Sequence, residues 1–188
     1  SATASKSDEV IVIRPGTDPA FALGLAQVII SKRLYDKAYV EKNTDLPFLI
    51  RLDTLKPLRP KDVFANHIDE RPKNVTFLKA GEKAAPVLVQ QGHLAAEALA
   101  EELSKGYVVW DKKKGLVAVT RDDVGAVFAK KGISPDLSAK HKVKLLSGGD
   151  VEVQTGFGLL QQYLDASMTP TQVAQITGAP AASVVALA

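Results

Sequence analysis

The chain has 188 residues, 46% of them hydrophobic and 24% charged, with a net charge of +3, a composition that is globular and long enough for one core or two small ones. It contains no cysteine, which excludes disulfides, thiolate metal sites and cysteine nucleophiles within these residues. Basic and acidic residues are mixed along most of the sequence, against a dedicated nucleic-acid surface, and no apolar run approaches the roughly 20 residues needed to span a bilayer.

Residues 1–9 (SATASKSDE) are polar and lack the apolar core of a signal peptide. They run almost straight into Val10, Ile11, Val12 and Ile13, an abrupt opening that suggests a piece of a longer protein. That β-branched run predicts a strand covered on both faces. Gly16 suits a turn that a Cβ would penalise, and Thr17 or Asp18 can cap the helix that Pro19 then enters. The helix over residues 20–30 carries Phe21, Leu23, Leu25, Val28 and Ile29, with few charges before Lys32, and is expected to be mostly buried.

Residues 36–43 predict a short polar helix with Tyr39 and Val40 inward, and residues 47–53 (PFLIRLD) an extended segment. Residues 54–83 are rich in Pro, Lys and Arg and predict a long surface loop. Residues 94–103 (LAAEALAEEL) have strong helix propensity and end near Gly106. YVVWD and LVAVT within residues 107–120 predict a hairpin around Lys112, Lys113, Lys114 and Gly115. A short helix over 121–131 should stop at Gly132. A second hairpin pairs 143–146 with 151–154 around Ser147, Gly148, Gly149 and Asp150. Helices over 158–165, 170–177 and 181–187 complete the chain.

This order predicts an α/β fold: a partial Rossmann-like nucleotide-binding region with inserted β-hairpins and a helical C-terminal part. Three parts are expected: residues 1–60 as strand, loop and helix of a nucleotide-binding domain, 61–154 as an inserted loop and hairpin region, and 155–188 as helices leading back to that domain. A single opening strand makes no sheet, and its partners are expected outside this chain.

Strand, glycine turn and helix start together make a common nucleotide-binding place, because free N–H groups gather there. Arg14-Pro15-Gly16-Thr17-Asp18-Pro19-Ala20, followed by Leu23-Gly24-Leu25-Ala26, resembles the large catalytic subunits of the dimethyl sulfoxide reductase family. Residues 1–8, Leu34-Tyr35-Asp36, Tyr39-Val40, Thr44-Asp45-Leu46-Pro47 and Leu49-Ile50-Arg51 continue the likeness. So does the tail from Thr169-Pro170 to Ile176-Thr177-Gly178-Ala179-Pro180, which resembles the helix pair ahead of the family's next nucleotide-binding strand. Residues 60–150 match less clearly. The TDLPFLIR segment is similar to the respiratory nitrate reductase and ethylbenzene dehydrogenase branches.

The resemblance implies a molybdenum enzyme carrying bis(molybdopterin guanine dinucleotide), with Gly16, Thr17 and Asp18 against a guanine end of that cofactor. A carboxylate can accept two parallel bonds from guanine N1–H and its amino group; Gly16 would admit the backbone closely, and Thr17 adds a hydroxyl. Helix capping is the commoner use of such a triplet, and only the flanking likeness turns the reading. Arg14 reads as a solvated charge. The resemblance further implies an iron–sulfur cluster elsewhere in the subunit, an iron–sulfur electron-transfer subunit as partner, a small-molecule substrate, and two-electron chemistry by oxyanion reduction or hydroxylation. The catalytic and metal-ligating residues are expected outside this chain, so alone it should be inactive. Family members are periplasmic or cytoplasmic.

The remaining signals read as structural. His67, His93 and His141 are widely spaced and show no metal-ligand pairing. Asp122 and Asp123 suit a charged helix start, Tyr107 and Trp110 suit packing, and the lysine run suits a solvated turn. The rival reading is a non-enzymatic regulator using residues 168–188 as a helix-turn-helix. Its second helix holds Ala, Ser, Val and Leu but no Arg, Lys, Asn or Gln, a poor reader of phosphates or bases.

Overall fold

The computed structural model describes residues 4–70, 76–78, 94–96 and 104–188. The chain is α/β and divides into two units, Ser1–Asp36 with Leu159–Ala188, and Lys37–Gly158.

The first unit is helical. After a short 3-10 turn at Ala4–Lys6 come α1 (Asp18–Ser31) and, late in the chain, α6 (Pro170–Thr177) and α7 (Ala181–Leu187). Helix α5 (Gly156–Ser167) carries the chain into this unit from the other. Val28, Val173 and Val184 form its buried centre, with Phe21, Leu25 and Met168 half-buried around them; fully burying each valine is worth about 2 kcal/mol. Helix α1 is less covered than its apolar composition predicts, with only Gly24, Gln27 and Val28 buried. Gly24 explains the tight helix packing, since a Cβ there would lie 2.7 Å from Val173 Cγ2. Gln27 Nε2 donates to Asp165 Oδ1 at 2.9 Å, which satisfies a polar side chain in that helix contact.

The expected strand over residues 10–13 does not form. The segment has no regular structure, and Val10 and Val12 are 53% and 79% exposed while Ile11 and Ile13 are half-buried. The residues alternate as a strand would, but a strand needs a neighbour for its N–H and C=O groups, and the described residues offer none there.

The second unit is built on strands. Helices α2 (Lys37–Asn43), α3 (Pro60–Val63) and α4 (Ala126–Lys130) are short. Strands β1 (Leu49–Arg51), β6 (Lys140–Lys144) and β7 (Asp150–Thr155) form an antiparallel sheet in the order β1-β7-β6, with Leu49 opposite Thr155 and Val143 opposite Val151. Its inner face contributes Leu49, Val143, Val151 and Val153, packed with Leu58, Val108 and Ala139. Strands β4 (Tyr107–Asp111) and β5 (Gly115–Val119) make the hairpin expected around the lysine turn. Val109, Val119, Phe128 and Ile133 form a second cluster on it. The Gly148-Gly149 turn also forms as expected, with φ of +95° and +80°. The third sheet pairs β2 (Thr76–Leu78) in parallel with β3 (Leu94–Ala96).

Four expectations need correction here, the first being Tyr39, expected to face inward from α2 but 60% exposed, with Glu41 the buried residue of that helix. Residues 94–96 are strand, because pairing with β2 overrides local helix propensity; residues 97–103 of that expected helix lie outside the described residues. The segment 54–83 is not all loop, since Pro60 opens α3 and β2 forms within it. Asp123 does not open a helix: its Oδ2 accepts from Thr120 N–H at 2.8 Å and its Oδ1 meets Lys131 Nζ at 2.7 Å, so α4 begins only at Ala126.

Candidate functional site

Gly16, Thr17 and Asp18 lie at the start of α1, on a tight turn. Thr17 N–H donates to the Arg14 carbonyl at 3.2 Å, and Gly16 has φ of +80°. Proline second and glycine third is the pattern of a type II turn, whose third position requires positive φ. A Cβ at Gly16 would meet nothing within 4 Å, so the turn faces open space.

The capping expected of Thr17 or Asp18 is absent. Thr17 precedes the helix but makes no side-chain cap bond; its Oγ1 donates instead to the Arg14 carbonyl at 2.7 Å. The Thr17 carbonyl accepts from Phe21 N–H at 3.1 Å, which starts the helix, and Pro19 occupies its first turn as expected. Asp18 is exposed, and its carboxylate has no hydrogen bond or ion pair among the described residues. The loop therefore offers an unengaged two-oxygen acceptor beside a glycine with room around it. A carboxylate can accept two parallel hydrogen bonds from adjacent N–H groups of a ligand.

Arg14 fixes this turn, a role the sequence did not suggest. Its backbone N–H donates to the Thr177 carbonyl at 2.8 Å. Its Nη1 donates to the carbonyls of Gln175 and Ile176 at 2.6 and 2.9 Å. A cation at the last carbonyls of a helix both satisfies orphan acceptors and complements the helix dipole. Helix α6 is itself well ended. Thr169 and Gln172 form a capping box, and Gly178 leaves the helix at φ of +80°. The paired tail helices form as expected, and α7 carries no cation.

Elsewhere the single residues serve structure. Asp111 is buried and accepts from the N–H groups of Lys113, Lys114 and Ser134 at 2.8, 2.8 and 2.5 Å. Those bonds, led by Ser134, hold its carboxyl below the usual carboxylate range. Trp110 packs on the sheet core and stacks on His141 with ring centroids 3.5 Å apart. Tyr107 stacks on Phe48 at 4.3 Å. His67 Nε2 lies 3.6 Å from Asp69 Oδ1, and His93 is outside the described residues. Among the described residues no three His, Asp or Glu side chains gather to hold a metal ion, and no helix is long and apolar enough to cross a membrane.

No protein-family model matches the chain. It is 32% identical, along its whole length, to the perchlorate reductase subunit alpha of Dechloromonas aromatica, and spans 19% of that protein. It is 46% identical over 39% of its length to the respiratory nitrate reductase subunit alpha of Haloferax mediterranei, of which this covers 8%. Over 34% of its length it is 39% identical to the chlorate reductase subunit alpha of Ideonella dechloratans, 7% of that protein. The chain thus spans about a fifth or less of the curated relatives it matches.

Proposed function

Because the chain belongs to the dimethyl sulfoxide reductase family of molybdopterin oxidoreductases, we propose that it forms part of a molybdenum-dependent catalytic subunit and lines the guanine dinucleotide end of its cofactor. Catalytic subunits of this family use molybdenum with molybdopterin, and the bound group supplies the two-electron redox centre. The chain's own contribution is recognition. Asp18 accepts the N1–H and amino protons of guanine, Gly16 lets the backbone approach the nucleotide, and Thr17 closes the turn through its bond to Arg14.

The observation that carries this reading is the unengaged Asp18 carboxylate beside the open Gly16 turn. Val10, Ile11, Val12 and Ile13 fit the same picture: their alternating exposure suits a strand that pairs once the rest of the subunit supplies a nucleotide-binding sheet. Three relatives are named perchlorate, nitrate and chlorate reductases, which favours oxyanion reduction over hydroxylation for the whole enzyme. An iron–sulfur cluster elsewhere in the subunit and an iron–sulfur partner subunit would carry the electrons.

Asp18→Ala in the full-length subunit tests the assignment. The expected result is a loss of both molybdenum and cofactor-derived GMP with the α-helical signal retained. Full content of both would refute it.

A further inference from the structure

The β1-β7-β6 sheet and the β4-β5 hairpin have four outer edges, and three of them are closed or guarded. An outer strand presents unpaired N–H and C=O groups that any extended chain can join. Residues 56–58 close β1: Arg51 N–H donates to the Lys56 carbonyl at 2.9 Å, Leu58 N–H to the Leu49 carbonyl at 2.8 Å, and Ile50 bridges Pro57. The far side of β4 is closed by Phe48, which bridges Val109, and by residues 134–136. There Lys112 N–H donates to the Ser134 carbonyl at 3.1 Å, and Asp136 N–H to the Trp110 carbonyl at 2.8 Å. Strand β6 carries exposed Lys140, Lys142 and Lys144, and lysines along an edge discourage an added strand.

The fourth edge is different. Strand β5, Gly115-Leu116-Val117-Ala118-Val119, holds no charge and no proline. Every second residue of an antiparallel strand turns its N–H and C=O away from its partner. Among the described residues, only β4 bonds to the backbone of β5. The strand is also part of the core. Leu116 packs on the cluster around Leu49 and Val153, whereas Val117 and Val119 join the cluster around Phe128. Gly115 to Ala118 are nevertheless only half-buried. A strand laid against this edge would extend both clusters and have both its faces covered, a position suited to a continuous apolar, β-branched run.

We infer that β5 is an acceptor edge for an extended, uncharged, apolar segment of the same catalytic subunit, lying outside these 188 residues. This rests on the reading of the chain as part of a longer subunit; it spans 19% of its perchlorate reductase relative, so most of such a polypeptide lies beyond it. Attachment in one polypeptide holds the joining strand at high effective concentration. A subunit that still awaits cofactor and companions would otherwise show an unguarded edge to its own copies, a route to aggregation. A strand from a companion would arrive too late to prevent that.

Hydrogen exchange of the full-length subunit, with and without its companion subunits, tests the pairing when read residue by residue after electron-transfer fragmentation. In the subunit alone, all amides from Leu116 to Val119 should exchange at least about a hundredfold slower than unprotected ones, as paired core strands do. Exchange of alternate amides within about tenfold of unprotected rates is the pattern of an open edge, and would overturn the inference. Alternate exchange that becomes slow throughout only on assembly would assign the strand to a companion, and equally overturn it. A diazirine analogue of leucine at Leu116 identifies the source. On irradiation it should reach an apolar segment of the same subunit outside these residues; cross-links only within residues 1–188, or to a companion, would overturn the assignment. Molybdenum and GMP content of the same preparations reports separately on the cofactor reading.

Discussion

Arg14 N–H donates to the Thr177 carbonyl at 2.8 Å, joining the residue before the candidate loop to the last turn of α6. Its guanidinium reinforces the joint on Gln175 and Ile176. The turn that presents Gly16 and Asp18 is thereby referenced to a helix more than 150 residues later. Arg14→Ala should lower stability by about 1–2 kcal/mol through loss of charge-assisted bonds at a helix C-terminus, read as a fall in urea midpoint. Arg14→Lys should recover part of that loss, because an ammonium keeps the charge but lacks the planar fork.

Gly24 sets how closely α1 approaches α6. The 2.7 Å that a Cβ would leave to Val173 Cγ2 is too short for any real contact, and Val173 is fully buried. Gly24→Ala should cost about 1–3 kcal/mol by overpacking, despite alanine's better helix propensity. Val173→Ala in the same chain should return some of it, giving a non-additive double-mutant cycle in thermal unfolding.

Asp111 should make the hairpin unit acid-sensitive. Its folded carboxyl is held below the ordinary range, first by the Ser134 N–H and then by Lys113 and Lys114. The stabilisation is therefore complete above the unfolded carboxylate pKa of about 3.9 and lost as pH falls through the lower folded value. Asp111→Ala leaves three N–H groups without their acceptor and should cost about 3 kcal/mol near neutral pH. The gap between variant and parent in urea midpoint should narrow below pH 4.

What the sequence made legible was local. The hairpin of β4 and β5 follows from apolar runs flanking a lysine-glycine turn, and α6 from Thr169 at its start and Gly178 at its end. What escaped depended on distant partners. The run from Val10 to Ile13 has strand chemistry but no neighbour to pair with, and residues 94–96 join β2 across a gap in sequence. Arg14 looked solvated because its acceptors lie 161 and 162 residues away. At the candidate loop, the turn at Gly16 and the helix start at Pro19 could be read directly. That Thr17 bonds backward, leaving Asp18 unengaged, could not, since the triplet satisfies a capping pattern equally well.

The most direct measurement is the GMP released per molybdenum subunit from full-length Asp18→Asn, compared with the parent. Asparagine keeps the size of the side chain but replaces one acceptor oxygen with a donor, which opposes a guanine N–H. The account predicts content reduced about tenfold, the scale of a mismatched polar group at a recognition site, with secondary structure unchanged. Parental GMP and molybdenum content in Asp18→Asn would contradict the assignment of Asp18 to guanine.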